Sequence, residues 1–442
     1  MKKLLFIIVT IALIISGTIF SGCVQNKTPA KKTETEIAID IVTDLKEKNY
    51  TDVYNYFNSS ITSQLTAEQF QTVWDQEAVA IYGNITSILD SRLTNESGYQ
   101  TVYTNCTFSK INEMAIRIVF NSQQLVISLT VVPTAEAYEP PSYVNQSTFT
   151  EESVMVGSGE WILPGNLTIP KGTGPFPAVV LVQGSGPNDQ DETIGPNKPF
   201  KDIAWGLASQ GIVVLRYVKR TKEYPQKSLE VNNFTVEDEV IDDVIAAINL
   251  LNETPVVNHS QIFVLGHSLG GYLAPRIASQ DNLTSGIIIM AGPTRHIEDL
   301  ILEQTRYLAN LSGTNASSQI AALQKDITKI KNLNFTDNEI ILGAPASYWR
   351  DLANYDPVAT AQTLHIPMLI MQGLRDYQVT LKDFNRWNET FYNNEKVTLK
   401  TYPSLNHLFI SGTGAPTNTE YLIPGHVAVE VINEISLWIK TH

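Results

Sequence analysis

A serine between two glycines, in the segment Gly-His-Ser-Leu-Gly at 266–270, constrains this chain more than any other feature. The four residues before it, 262–265, are apolar and mostly β-branched or aromatic, which predicts a buried strand. The residues after it, 271–278, carry apolar side chains at helical spacing. A strand, a tight turn and a helix around Gly-x-Ser-x-Gly predict a nucleophile elbow, with Ser268 as the nucleophile. Glycine fits at both flanks because a side chain there would be pressed between strand and helix.

The beginning of the chain has the order of an export signal. A basic start and an apolar core lead to Phe-Ser-Gly-Cys at 20–23, and we predict a secretory signal over 1–22. Cys23 after small residues resembles a lipoprotein lipobox, which implies a lipidated Cys23, although Phe20 stands where leucine is more usual. The alternative is an uncleaved membrane anchor. Either way, we expect an exported protein anchored to the outer face of the cytoplasmic membrane or the cell surface.

Composition and charge narrow the classes of function. The net charge of −14 argues against a nucleic-acid partner, which would need a basic surface. The only cysteines are Cys23 and Cys106, so lipidation of Cys23 leaves no internal disulfide and the fold must depend on burial. No cluster of histidine, cysteine and carboxylate residues has metal-ligand spacing, and we expect neither a metal nor a cofactor.

The pattern along the chain predicts two domains in series, for which 442 residues leave room. After a polar tether at 23–34, helical spacing begins, and a second helix is predicted over 66–82. Period-two alternation follows, so 35–133 is predicted to be a small α+β domain. Its order of helices and strands resembles a nuclear-transport-factor-like layout, and we find no catalytic motif in it. A proline-bearing linker is predicted over 134–153.

From 154 to 442, predicted strands and helices alternate, which indicates an α/β domain. We therefore expect a mostly parallel sheet with helices on both faces. A long helical stretch at about 294–355 interrupts the alternation and is predicted to form a cap.

Two further residues, both later in the sequence than Ser268, complete a possible catalytic set in the order nucleophile, acid, histidine. Asp376 follows the predicted strand 365–372, and His407 follows the next strand, 397–402. A serine hydroxyl needs a base that a third group orients. We predict that His407 takes and returns the proton of Ser268 and that Asp376 orients His407. Weaker candidates lie in the cap, at a strand entrance, before the last helix and within a helix: His296, His365, His426 and Asp383.

Acyl transfer also needs hydrogen-bond donors for the oxyanion. The backbone N–H of Leu269, directly after the nucleophile, is predicted to be one donor. The second is expected from the loop Gln-Gly-Ser-Gly-Pro-Asn-Asp at 183–189, which follows a predicted buried strand.

These stretches resemble the α/β-hydrolase superfamily, and within it the exported carboxylesterases and the dienelactone-hydrolase and peptidase-like enzymes. The resemblance covers 154–442 and rests on the loops at 184–193, 266–271, 373–376 and 406–407. It implies an α/β-hydrolase fold preceded by the small α+β domain, and Ser185 as the second oxyanion donor through its main-chain N–H. Gln183 departs from the family, where histidine is common.

The resemblance implies a serine hydrolase that cleaves small or medium acyl esters of a small-molecule substrate. A peptidase or an acyltransferase on the same machinery is the alternative, since a catalytic triad does not specify its leaving group. A binding module with an inactive site is a third possibility, but it predicts a missing member of the triad.

Overall fold

The computed structural model describes residues 32–442 except 64, 97–98, 112, 133, 135–137, 314–315 and 338. The predicted signal segment and Cys23 lie outside the described residues. The chain divides into two compact units, Met1–Ala137 and Tyr138–His442, called here the N-terminal and the C-terminal unit. Within the described ranges, no helix has the length and apolar character needed to cross a membrane.

The N-terminal unit packs helices against an antiparallel sheet. Its helices are α1 (Glu34–Glu47), α2 (Tyr50–Asn55), α3 (Ser59–Thr62), α4 (Ala67–Val73) and α5 (Ala80–Tyr82). Its strands are β1 (Ile85–Glu96), β2 (Tyr99–Phe108), β3 (Glu113–Phe120) and β4 (Val126–Val132), in the order β1-β2-β3-β4. The helix predicted over 66–82 begins with Thr66 as its N-cap, and a π-helical turn, Trp74–Val79, joins α4 to α5.

Cys106 lies in the core of this unit, fully buried on β2. Burial in apolar surroundings disfavours the thiolate and raises the pKa of the thiol to about 12. Cys106 is a free thiol.

The C-terminal unit is built on an eight-stranded sheet in the order β14-β13-β10-β9-β7-β8-β6-β5. The strands of this unit are β5 (Phe149–Val156), β6 (Leu163–Pro170), β7 (Phe176–Val182), β8 (Val213–Tyr217), β9 (Val257–His267), β10 (Thr284–Met290), β11 (Ile340–Ile341), β12 (Ala344–Pro345), β13 (Met368–Gly373) and β14 (Val397–Tyr402). Every neighbouring pair from β14 to β8 is parallel, whereas β6 pairs antiparallel with both of its neighbours, β8 and β5. The carboxyl ends of six parallel strands therefore meet at one edge of the sheet.

Helices cover both faces of this sheet, as the sequence predicts. The helices of the unit are α6 (Pro199–Ala208), α7 (Arg220–Glu223), α8 (Pro225–Glu230), α9 (Asp242–Glu253), α10 (Leu269–Gln280), α11 (Ile297–Ser312), α12 (Ser317–Lys331), α13 (Ala346–Ala353), α14 (Pro357–Gln362), α15 (Leu381–Phe391) and α16 (Val429–Thr441). One apolar core lies under α9, α10 and α15, and the other under α6 and α16. The predicted α/β-hydrolase arrangement is confirmed.

The helical stretch predicted as a cap lies between β10 and β13. It contains α11, α12 and α13 and the short ribbon of β11 and β12. Ile330, Ile341 and Trp349 form a small core of its own. This insertion is therefore packed as a substructure and not as a loose loop.

The stretch 134–153, predicted as a linker, belongs to the C-terminal unit from Tyr138 onward. The Tyr138 hydroxyl donates to Asp202, and the Tyr143 hydroxyl donates to the carbonyl of Val427. Strand β5 then begins at Phe149. Aromatic residues in this stretch, which sequence patterning does not distinguish from linker, hold it against the body.

Candidate active site

Ser268 occupies a strained turn between β9 and α10. It adopts φ 53° and ψ −114°, a backbone conformation that a residue with a side chain rarely adopts. Such strain persists only where the surrounding structure enforces it. The turn places Ser268 at the carboxyl edge of the sheet and at the amino end of α10, where unpaired N–H groups and the helix dipole favour negative charge.

The backbone around the turn explains the two flanking glycines. A Cβ atom at Gly266 would stand 2.2 Å from the carbonyl oxygen of Gly270. A Cβ atom at Gly270 would stand 2.2 Å from the carbonyl oxygen of Val182, at the end of β7. Both contacts involve rigid backbone, so a side chain at either position would displace the strand or the helix that shapes the turn.

The loops after β13 and β14 bring Asp376 and His407 together. The Nδ1 atom of His407 lies 2.6 Å from the Oδ2 atom of Asp376, and both side chains are almost completely buried. The Oδ1 atom of Asp376 accepts the backbone N–H groups of Gln378 and Val379, and Oδ2 also accepts the side-chain amide of Gln372. Four donors therefore fix the carboxylate, and it can orient the imidazole.

His267, the residue before Ser268, lies against His407. Their ring centroids are 4.6 Å apart, and the Nε2 atom of His267 is 2.9 Å from the carbonyl oxygen of His407. This contact brings the elbow and the histidine loop together. Within the part of the chain that the structure describes, the Ser268 hydroxyl makes no hydrogen bond. His407 thus contacts Asp376 directly, whereas it is connected to Ser268 only through the preceding residue, His267. Catalytic hydrogen bonds often tighten only when substrate binds.

The loop after β7 lies beside the elbow. A Cβ atom at Gly184 would stand 3.1 Å from the Cβ atom of Ser268, which places the backbone of this loop next to Ser268. Ser185 is exposed, and its backbone N–H has no partner among the described residues. Leu269 begins α10, so its N–H is one of the unpaired donors of the first helical turn. The side chain of Gln183 is buried and donates to the carbonyl of Tyr217.

Glu192 connects this loop to the elbow. Its Oε1 atom accepts the backbone N–H of Gly184 at 2.6 Å, and its Oε2 atom lies 3.0 Å from Nδ1 of His267 in an ion pair. Only Nε2 of His267 makes a hydrogen bond, to the carbonyl of His407, whereas Nδ1 and Oε2 of Glu192 are close enough for an ion pair but lack hydrogen-bond geometry. Burial alone would lower the pKa of His267, but the Glu192 carboxylate and the carbonyl of His407 outweigh it and raise the pKa.

Sequence reasoning assigned no role to Glu192, His267 or Lys219. Lys219 follows β8 and is 2% exposed, and its ammonium lies 2.9 Å from the carbonyl oxygen of Gly184. His267 ends β9, Lys219 follows β8, and Glu192 belongs to the acidic run that follows the glycine-containing loop after β7. Charged residues at the carboxyl ends of otherwise apolar strands were the signal that could have found them.

The other candidate residues have structural partners away from this site. His426 contacts Asp202, and Asp383 accepts the side chain of Arg295 and the backbone N–H of Thr294. His365 is exposed before β13, and His296 is the N-cap of α11. Throughout the described ranges, no group of three histidine, cysteine or carboxylate residues could hold a metal ion.

Comparison with known proteins shows the family to which this chain belongs. Esterase EstD of Thermotoga maritima is 39% identical over 396 residues, which cover 89% of this chain and 92% of EstD. The chain belongs to the same esterase family. Residues 199–412 match the family described as "Serine aminopeptidase, S33", and residues 38–129 match a family of unknown function, DUF3887. The relationship to EstD is long enough to extend into the N-terminal unit.

Solved structures similar to this esterase-family chain include further esterases and peptidases. Est1E from Butyrivibrio proteoclasticus is 14% identical, with 66% of this chain and 99% of that chain covered and a TM-score of 0.43. An acylaminoacyl peptidase from Pyrococcus horikoshii is 14% identical, with 80% of this chain and 56% of that chain covered and a TM-score of 0.46. This chain thus spans little more than half of that peptidase.

Proposed function

We propose that the protein is a serine carboxylesterase that cleaves small or medium acyl esters through an acyl-enzyme. The observation that carries this proposal is the buried His407–Asp376 pair at the same sheet edge as the strained turn of Ser268. Membership of the esterase family supports it. The residues present match what ester cleavage needs: a nucleophile, an oriented base and backbone donors.

In the proposed reaction, the Ser268 oxygen attacks the ester carbonyl while His407 takes its proton. Asp376 holds the imidazole in the required orientation and stabilises its charged form. The backbone N–H groups of Leu269 and Ser185 stabilise the oxyanion of the tetrahedral intermediate. His407 then protonates the leaving alcohol. A water molecule, deprotonated by His407, hydrolyses the acyl-enzyme and regenerates Ser268.

The cap is proposed to bound the acyl pocket. Tyr307 of α11 stacks on Tyr377 with ring centroids 5.4 Å apart, and Tyr377 directly follows Asp376. Gln304 of the same helix donates to the carbonyl of Gln378 at 3.0 Å. Helix α11 therefore lies against the acid loop, where it would limit the size of the acyl group.

The test is covalent labelling of the full chain with a fluorophosphonate, together with hydrolysis of p-nitrophenyl esters. We expect labelling of the wild type and its loss in Ser268→Ala, with kcat reduced on the order of 10⁴–10⁶. Ser279→Ala is the matched control, because Ser279 is an exposed serine later in the same helix. A folded wild type that is not labelled and does not cleave esters would refute the proposal.

A peptidase is the second candidate, which the match to the serine aminopeptidase family favours. An acyltransferase would use the same groups with an alcohol or amine in place of water. Aminoacyl-nitroanilides assayed beside the nitrophenyl esters separate the first two activities. A kcat/KM for nitroanilides above that for esters would select the peptidase.

We also propose that the protein is exported and anchored at the outer face of the cytoplasmic membrane or the cell surface. The support is the sequence pattern of a signal over 1–22 followed by Cys23. Metabolic labelling with a tagged fatty acid should mark the wild type and not Cys23→Ser. A membrane-bound wild type that takes up no label would show that lipidation of Cys23 is wrong and would favour an uncleaved anchor.

A further inference from the structure

The peptide group between Gly184 and Ser185 has one hydrogen-bond donor and one acceptor. Its N–H belongs to Ser185 and is the second oxyanion donor in the proposed function. Its carbonyl belongs to Gly184 and points the opposite way, as in every trans peptide. What binds this carbonyl therefore determines the direction and the polarity of the N–H.

Two side chains donate to the Gly184 carbonyl. The Nζ atom of Lys219 lies 2.9 Å from it, and the Nδ2 atom of Asn188 lies 3.1 Å from it. Lys219 is 2% exposed, so water hardly screens its charge. The backbone N–H of Lys219 also donates to the carbonyl of Asn188 at 3.1 Å, so the two donors are held to each other.

The preceding peptide group is fixed from the other side. Its N–H, that of Gly184, donates to the Glu192 carboxylate at 2.6 Å and is not free for a substrate. The buried carboxylate of Glu192 thus accepts the N–H of Gly184, while the buried ammonium of Lys219 donates to the carbonyl of Gly184. Of the two N–H groups in this stretch of the loop, the one on Ser185 is left for the oxyanion.

We propose that Lys219 is a positioning residue for the oxyanion donor: its ammonium, helped by the Asn188 amide, orients the Gly184–Ser185 peptide and polarises the Ser185 N–H. This inference rests on the proposed function. A charge-assisted hydrogen bond to the carbonyl draws electron density from the amide nitrogen, because the peptide is a resonance system. The N–H then carries more positive charge where negative charge develops in the transition state.

The rival interpretation is that Lys219 serves only to pair with Glu239. Its Nζ atom lies 2.6 Å from Oε1 of Glu239, and the Tyr348 hydroxyl donates to Oε2 of Glu239 at 2.8 Å. Removing Lys219 alone would leave Glu239 buried without its cation, which is strongly destabilising. A test must therefore neutralise Glu239 in both proteins that it compares.

The experiment compares Glu239→Gln with the double variant Lys219→Met/Glu239→Gln in the full chain, using p-nitrophenyl ester hydrolysis and inhibition by a boronic acid. The boronic acid forms a tetrahedral adduct with the nucleophile and reports on the oxyanion donors. Relative to Glu239→Gln, we expect kcat of the double variant to fall at least about tenfold, with KM within twofold. The loss of kcat should not exceed the factor of about 10²–10³ that is typical of removing a whole oxyanion donor. The inhibition constant of the boronic acid should rise by a similar factor.

Two further variants support the comparison. Lys219→Arg should retain most of the activity, because a guanidinium also donates with a charge. Lys227→Met removes a lysine that lies at the surface beside Glu160, and it should leave kcat unchanged.

An equal kcat and boronic-acid affinity in the double variant and in Glu239→Gln would overturn the inference. A change in KM alone would do so as well, because it indicates a structural role. If the double variant does not fold, Asn188→Ala decides: we expect a three- to fivefold loss of kcat, on the scale of one hydrogen bond of about 1 kcal/mol, with parallel loss of boronic-acid affinity. No loss there would overturn the inference. A wild type without labelling would instead refute the proposed function.

Discussion

The two units bury different kinds of side chain. In the described part of the N-terminal unit, the buried polar residues are uncharged: Asn58, Thr101, Thr104, Ser128 and Thr130. The C-terminal unit buries acids, bases and histidines, and several follow the carboxyl ends of parallel strands: Glu192, Lys219, Asp376 and His407. Burying a charge costs several kcal/mol unless it is paired. The costly buried charges of the described residues are thus concentrated in the unit that carries the proposed triad.

The largest expected effect follows from changing a buried acid of the C-terminal unit. Asp376→Asn keeps the shape of the side chain but replaces one acceptor with a donor facing His407, which favours the wrong tautomer. We expect kcat for a p-nitrophenyl ester to fall on the order of 10⁴ with the fold intact. Asp337→Asn, at an exposed acid paired with Arg350, is the control. A kcat within tenfold of wild type would show that Asp376 does not orient the base.

A cavity in the core of the N-terminal unit should lower stability and leave kcat unchanged, the opposite of the effect expected for Asp376→Asn. Ile118 is fully buried on β3, and Ile118→Ala should lower the free energy of unfolding by about 2–5 kcal/mol without changing kcat under folding conditions. Urea unfolding and an ester assay measure the two quantities. Ile39→Ala, at an exposed position on α1, should change stability by less than about 0.5 kcal/mol. A tenfold loss of kcat in folded Ile118→Ala would break the comparison and give this unit a part in catalysis.

Removing the charge of Glu192 should have a smaller effect on activity, of about tenfold in kcat, because Gln can still accept the N–H of Gly184. It should also change the pH dependence of stability. The raised pKa of His267 contributes stability that is complete below the unfolded value of about 6.5 and is lost as the pH rises through the folded pKa. Thermal unfolding from pH 6 to 9 should show this loss in wild type and less of it in Glu192→Gln. Identical pH profiles would show that the Glu192–His267 ion pair does not stabilise the elbow.

The smallest effect is expected at His426, whose side chain is 38% exposed. The hydrogen bond to Asp202 raises the pKa of His426 against the opposing effect of partial burial. The stabilisation is present below about pH 6.5 and disappears as the pH rises through the folded pKa. His426→Gln should therefore lower stability only at acidic pH, by no more than about 1 kcal/mol, because solvent screens the pair. Equal losses at pH 5.5 and 9 would contradict this.

The sequence predicts the features that local pattern controls. Alternation of strands and helices gives the α/β sheet, and the glycines at 266 and 270 give the turn that holds Ser268. Asp376 and His407 could be proposed because each follows a strand of the predicted sheet. The sequence marks Lys219 and Glu192 only as charged residues after apolar strands; their contacts with Gly184 could not be predicted, since they depend on how the loops after β7 and β8 fold against each other. The π-helical turns at Trp74–Val79 and Glu237–Ile241 also escaped prediction, because they interrupt helices whose apolar spacing continues through them.

Cys106 makes the core of the N-terminal unit accessible to a chemical assay. A thiol that is buried and has a pKa of about 12 is almost entirely protonated at neutral pH, and maleimides or disulfide reagents cannot reach it. Modification must therefore wait for β2 to open, so its rate measures how often this unit unfolds. Peptide mapping separates the product from any formed at Cys23. The chain thus carries a natural reporter of the stability of the unit that lacks the proposed triad, with no engineered label needed.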